Sequence, residues 1–136
     1  STPKDLYDAL VAFHKPEETA TVDIAKLKFV MYCRKSTTSD EQQERTIPDQ
    51  KLHCFDAAKR LGIPESHITV IEEQESAKEP DIRLKFKTMI ENIKNGKYEA
   101  ILTWHPDRLA RNMADAGRII DLLDKKIIKN LSFATF

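Results

Sequence analysis

Apolar residues fall into short runs separated by polar stretches, and the runs alternate between two periods. Leu27-Lys28-Phe29-Val30-Met31-Tyr32-Cys33 is a compact run rich in strand formers and predicts a first strand. Arg34 to Arg45 is polar without periodicity and predicts a loop. Thr46-Ile47-Pro48-Asp49 predicts a helix start: threonine can cap, proline is tolerated in the first turn, and aspartate suits the positive end. Ile47, Cys54, Phe55, Ala58 and Leu61 would form that helix's apolar face, and Gly62 with Pro64 stops it. Ile68 to Ile71 predicts strand two. Phe86, Met89, Ile90 and Ile93 fall at i, i+3, i+4 and i+7, a helical stripe that Asn95-Gly96 ends. Ala100 to Trp104 predicts strand three, residues 113–125 a helix with Ile119, Ile120, Leu122 and Leu123 apolar, and Leu131 to Phe136 strand four. This alternation predicts an α/β domain in three layers, a mostly parallel four- to five-stranded sheet with helices on both faces. In such sheets sites lie where strands end and helices begin. Ahead of it, Leu6, Leu10, Val11 and Phe13 sit near helical spacing before a polar, proline-containing stretch. Residues 1–26 therefore read as an N-terminal extension or linker, and 27–136 as the domain.

Composition narrows the classes. The 136 residues carry 22 Lys+Arg against 22 Asp+Glu, a formal net charge of +0. That excludes a generally basic nucleic-acid coat and an acidic disordered tail, though not local basic clusters. Three glycines and six prolines argue against low complexity and against a loop-rich all-β fold. Cys33 and Cys54 form no CxxC pair and have no zinc-finger spacing, so they are expected to be free thiols in a reducing compartment. No apolar run approaches the roughly 18 residues of a membrane span, and no secretory signal pattern opens the chain.

Chemistry concentrates at the strand ends. After strand one, Arg34 and Ser36 are two apart and share a side in an extended segment. After strand three, Asp107, Arg108 and Arg111 follow His105-Pro106; if this segment is helical the two arginines share a face, and Asp107 with Arg111 has ion-pair spacing. After strand two comes an acidic loop containing Glu73 and Ser76, then Arg83. Gln50 lies in the first turn of its helix, where free backbone donors attract anions, and Gln43 flanks the first loop. Arginine cannot take a proton from serine, but it can hold a phosphate and neutralise charge building on its oxygens. Serine attack on a phosphodiester fits this set better than attack on an ester. GxSxG, Walker and GxGxxG patterns are all absent.

In this order the residues resemble the catalytic domain of the serine recombinases, the resolvase/invertase and large serine integrase family. The resemblance rests on Tyr32-x-Arg34-x-Ser36-Thr37, Gln43, Ile47-Pro48-Asp49-Gln50, Glu73, Ser76-Ala77-Lys78, Arg83 and the Asp107-Arg108-Leu109-Ala110-Arg111 signature, and runs from about residue 28 to 136. The long interval from Ser36 to Gln50 is more like the large integrases and transposon-type enzymes. At Ile82-Arg83-Leu84 the chain departs from the family's Arg-Arg-Pro run. The resemblance implies a resolvase-like fold and a site-specific DNA recombinase. Ser36 would attack a DNA phosphate and become linked to the 5′ end before strands are exchanged and resealed. Arg34, Arg108 and Arg111 would hold the non-bridging oxygens, Arg83 would help, and Asp107 would orient an arginine. Tyr32, Gln43, Gln50, Glu73 and Ser76 would position the phosphate backbone. It implies no metal, cofactor or ATP. Double-stranded DNA is the implied partner, bound weakly by this chain alone, with a Kd above about 10 µM at physiological salt. It also implies a homodimer assembling to a tetramer in a longer protein, a cytoplasmic setting in a bacterium or phage, and a chain that stops before the family's long dimerisation helix and DNA-binding domain. Two other readings stay open: a phosphate- or nucleotide-binding module of the same fold without covalent chemistry, and a hydrolase pairing Ser36 with His105.

Overall fold

The computed structural model describes Asp8 and residues 23–36, 46–75 and 83–135. The elements run β1 (Phe29–Ser36), α1 (Ile47–Leu61), β2 (Ile68–Glu75), α2 (Leu84–Lys94), β3 (Ala100–Thr103), α3 (Pro106–Leu109), α4 (Met113–Asp124) and β4 (Asn130–Phe133). Local chemistry accounts for their limits. Thr46 Oγ1 accepts the Asp49 N–H at 3.2 Å to open α1, and Gly62 closes it in the left-handed region at φ 79°, where a side chain is disfavoured. Asn112 Oδ1 accepts the Asp115 N–H at 2.9 Å to open α4. Among the described residues no helix is long and apolar enough to cross a membrane.

All the described strand pairs are parallel, and the sheet order is β2-β1-β3-β4. The chain steps from β1 to β2 in one direction and from β2 past β1 to β3 in the other. With right-handed crossovers, that reversal sends α1 to one face of the sheet and α2 and α4 to the opposite face. The core divides accordingly. Phe29, Met31 and Cys33 pack with Cys54, Ala57, Ala58 and Ile63 on the α1 side. Val30 and Tyr32 pack with Phe86, Met89, Ile90, Ile93, Ile119 and Leu122 on the other. The α2 stripe is buried as its spacing predicts, each large side chain contributing about 1.5–3 kcal/mol relative to exposure. The point where strand order reverses lies between β1 and β3, and their C-terminal ends form one rim.

Several boundaries differ from the hydrophobic reading. β1 does not stop at Cys33 but runs to Ser36, and β2 runs to Glu75 rather than Ile71. Beyond the apolar runs the two strands continue as a polar ladder, with Arg34 opposite Glu73 and Lys35 opposite Gln74. Main-chain pairing with the neighbouring strand continues there whatever the polarity of the side chains, and hydropathy does not register it. In α1, Leu61 is exposed and Ala57 is buried, while Gln50 occupies the inward stripe. Cys33 and Cys54 are buried free thiols; the Cys54 thiol is pushed up first by its hydrogen bond to Cys33 and further by burial.

Candidate active site at the β1–β3 rim

The rim is shaped by unequal strand lengths. β3 ends at Thr103, level with Tyr32, so Arg34 has a strand partner on the β2 side but none on the β3 side. Gln50 takes the missing place. Its Oε1 accepts the Arg34 N–H at 3.1 Å, and its Nε2 donates to the Arg34 carbonyl at 2.8 Å. A primary amide thus imitates the next residue of a parallel strand, inside the protein at 0% exposure. Thr103 secures the same edge, its Oγ1 donating to the Tyr32 carbonyl at 2.8 Å. Gln50→Ala would strand one buried donor and one buried acceptor. It is expected to lower stability by about 2–4 kcal/mol in urea melts; a loss under about 0.5 kcal/mol would contradict this account.

The Arg34 side chain, 5% exposed, crosses to α3. Its Nε donates to the Arg108 carbonyl at 3.2 Å and one terminal nitrogen to the Asp107 carbonyl at 2.5 Å. A one-turn helix leaves its last carbonyls without internal partners, and Arg34 supplies donors for two of them. His105 caps the other end. Its Nδ1 lies 3.3 Å from the Asp107 amide and 3.0 Å from Asp107 Oδ1, so it can accept from the amide when neutral and donate to the carboxylate when protonated. Burial pushes the Asp107 carboxyl up, but the His105 hydrogen bond together with the Arg108, His105 and Arg34 charges outweighs it. The group is held below the usual carboxylate range. Arg108 is buried with its guanidinium 5.5 Å from the Trp104 ring centre. α3 ends at Leu109 and Ala110 is extended, so Arg108 and Arg111 do not share a helical face: Arg108 points into the protein and Arg111 is exposed.

Arg83 is held deeper than a surface arginine, at 3% exposure. Its guanidinium lies 3.9 Å from the Phe86 ring centre. It pairs with Asp115 at 2.7 Å and donates to the Leu109 carbonyl at 2.6 Å and to the Tyr32 hydroxyl at 3.1 and 3.3 Å. The Tyr32 hydroxyl in turn donates to Glu73 Oε1 at 2.5 Å. Burial pushes the Tyr32 phenol well above its ordinary value, against the opposing Arg83 charge. Glu73 also accepts the Phe86 and Lys85 amides at 3.1 and 2.8 Å, so a carboxylate caps the positive end of α2.

Two linked groups result. Arg34, Asp107 and Arg108 are in direct contact; Tyr32, Glu73 and Arg83 reach the same short helix through Leu109 and reach Arg111 through Asp115, whose Oδ2 also accepts the Arg111 N–H at 3.3 Å. The main chain of Ser36 lies two strand residues, about 7 Å, beyond Arg34. Gln43, Ser76 and Lys78 lie outside the described residues. Sequence reasoning missed Asp115, although Asn112-x-x-Asp115 ahead of an apolar run is a helix-start signal. It also missed that three carbonyl groups of α3, those of Asp107, Arg108 and Leu109, would be arginine acceptors, which no residue type announces. Among the described residues no group of three or more His, Cys, Asp or Glu side chains is disposed to hold a metal ion.

A parallel sheet with a strand-order reversal and an arginine-rich rim defines an α/β domain with a cationic site at its topological switch point. The family described as Resolvase, N terminal domain, matches residues 29–133. The chain belongs to this family of serine recombinases and carries its catalytic domain. Among solved structures, the crystal structure of the C-terminal catalytic domain of ISC1926 TnpA, an IS607-like serine recombinase, is similar in fold. Its TM-score is 0.55 at 17% identity, over 78% of this chain and 69% of that one. A comparison with curated protein sequences finds no match.

Proposed function

We propose that the rim cleaves and rejoins DNA with Ser36 as the nucleophile. The Ser36 oxygen attacks a backbone phosphorus in line. A bond from the serine oxygen to phosphorus forms and the bond from phosphorus to the 3′ oxygen breaks; the serine proton passes to solvent, and the 3′ oxygen takes one up from solvent and departs as a hydroxyl. The product is a 5′-phosphoserine linkage. One phosphodiester replaces another, so resealing by the 3′ hydroxyl of an exchanged strand is the same step in reverse and needs no nucleotide. Arg108 and Arg111 hold the non-bridging oxygens. Arg34 adds a fixed charge and keeps α3 at the rim, and Asp107 orients α3 through His105. Arg83, Tyr32, Glu73 and Gln50 are positioning residues that act through α2, α3 and β1. Gln43 and Ser76 are assigned to backbone positioning on the resemblance alone. Recombination would pair two dimers in a tetramer on duplex DNA.

The observation that carries this reading is the clamp of Arg34 onto the Asp107 and Arg108 carbonyls. It joins two arginine-bearing segments 73 residues apart in sequence, at a strand end two residues from a hydroxyl. The test offers the protein a nicked duplex whose 3′ fragment diffuses away on cleavage, so that the linkage is trapped. A covalent adduct mapping by peptide sequencing to Ser36 is expected. A phosphate-binding module would show thermal stabilisation by DNA without an adduct, and that result would overturn the proposal.

A further inference from the structure

A second cationic feature lies next to the rim, in a notch of about 50 Å³ between α2 and α4. Its lining includes Arg83, Lys87, Arg111, Asn112, Asp115 and Arg118. Lys87 stands one turn beyond Arg83 on α2, and Arg118 one turn beyond Asp115 on α4, so two exposed cations flank the buried pair. Among the described residues that line it, four cationic side chains meet one carboxylate. That carboxylate is already occupied, with Asp115 bonded to the Arg83 guanidinium and the Arg111 amide. At the far ends of these helices Lys94 pairs with Glu91 and Lys125 with Asp121, while Lys85 donates to the Glu72 carbonyl. Among the described residues, no carboxylate pairs with Lys87 or Arg118. The positive end of the 12-residue α4 opens beside them and adds to the field.

We propose that Lys87, Arg111 and Arg118 seat a second backbone phosphate of duplex DNA, next to the one being cleaved. The inference rests on the DNA-cleaving reading and extends it by two binding residues. The notch is too small for a base or sugar but admits the non-bridging oxygens of a phosphodiester. Because Arg111 belongs both to this notch and to the rim, the ligand that fills one must continue into the other. A strand carrying phosphates in series does so, whereas an isolated anion fills one seat only. Guanidinium and ammonium groups complement each other in such a seat, since the first gives a planar fork and the second a mobile point charge.

The experiment measures binding of a labelled duplex by anisotropy, in the Ser36→Ala protein to prevent cleavage, across a salt series that starts low enough for weak binding to be seen. Neutralising one phosphate contributes about 0.9 to the slope of log K against log salt. The Lys87→Ala/Arg118→Ala double variant is expected to lower that slope by about 0.9 and to weaken low-salt binding about tenfold. The charge-matched Lys94→Ala/Lys125→Ala variant, altered at the opposite ends of the same helices, should keep the slope. Melting temperatures establish that both variants are folded. Equal slopes in the two double variants would overturn the seat. The nicked-duplex trap is scored separately in the protein with Ser36 intact. An adduct with unchanged slopes removes the seat and leaves the nucleophile assignment; a lowered slope without an adduct removes the chemistry and leaves the seat.

Discussion

With Ser36 replaced by alanine, the nicked-duplex trap is expected to yield no covalent adduct at all, whereas Arg34→Ala should still yield one, about 10²–10³-fold more slowly. The contrast follows from what each residue supplies. Without the Ser36 oxygen nothing can bond to phosphorus, whatever charge surrounds it. Without Arg34 the oxygen remains, but the rim loses a fixed cation and α3 loses donors to its Asp107 and Arg108 carbonyls. The backbone that carries Arg108 is then held less firmly, and catalysis of this kind depends on donors held where charge develops. Arg34→Lys is the sharper variant. It retains the charge, but one ammonium cannot reproduce a planar fork that serves two carbonyls at 3.2 and 2.5 Å. It is expected to stay within about tenfold of Arg34→Ala. An Arg34→Lys protein forming adduct at the wild-type rate would show that charge alone suffices and that the clamp is irrelevant.

The second large effect is on stability. Arg83→Ala is expected to cost about 3–5 kcal/mol, because it leaves the Asp115 carboxylate, the Leu109 carbonyl and the Tyr32 hydroxyl without their shared donor. Domains of this size have only about 5–15 kcal/mol in total, so a melting-temperature drop on the order of 10–20 °C should be visible by calorimetry. Arg83→Met separates packing from charge. Methionine keeps contact with the Phe86 ring but offers no donor, so most of the loss should persist. Should Arg83→Met melt with the wild type, the guanidinium is not what holds α3 to α2. A double cycle with Asp115→Asn isolates the ion pair, since the two side chains are in contact and their effects should not add.

Both predictions separate what could be read along the chain from what could not. Elements held by apolar burial were legible: the Phe86–Met89–Ile90–Ile93 stripe and the Thr46 and Gly62 limits of α1 are where spacing and capping chemistry put them, and the strand read over Ala100 to Trp104 ends one residue earlier, at Thr103. The polar ends of β1 and β2 were not, because their pairing depends on which residue lies opposite, and that is a property of two strands. Gln50 illustrates the limit. As a residue in the first turn of a helix it reads as a neighbour of donors that attract anions; only the early end of β3 turns it into the partner of Arg34. Asp107, Arg108 and Arg111 read as one helical face, yet the turn closes at Leu109 and sends the two arginines to different surroundings.

Family membership was determined by the sequence itself, since an ordered set of residues along the chain is a statement about residue types and order. The division of labour among the arginines was decided only by tertiary structure. Identical guanidinium groups differ in role through burial and acceptors: Arg34 against two carbonyls, Arg83 between a ring and a carboxylate, Arg111 at the surface. A cation's function depends on how far it is from water and what it already holds. Both quantities come into being when distant segments meet.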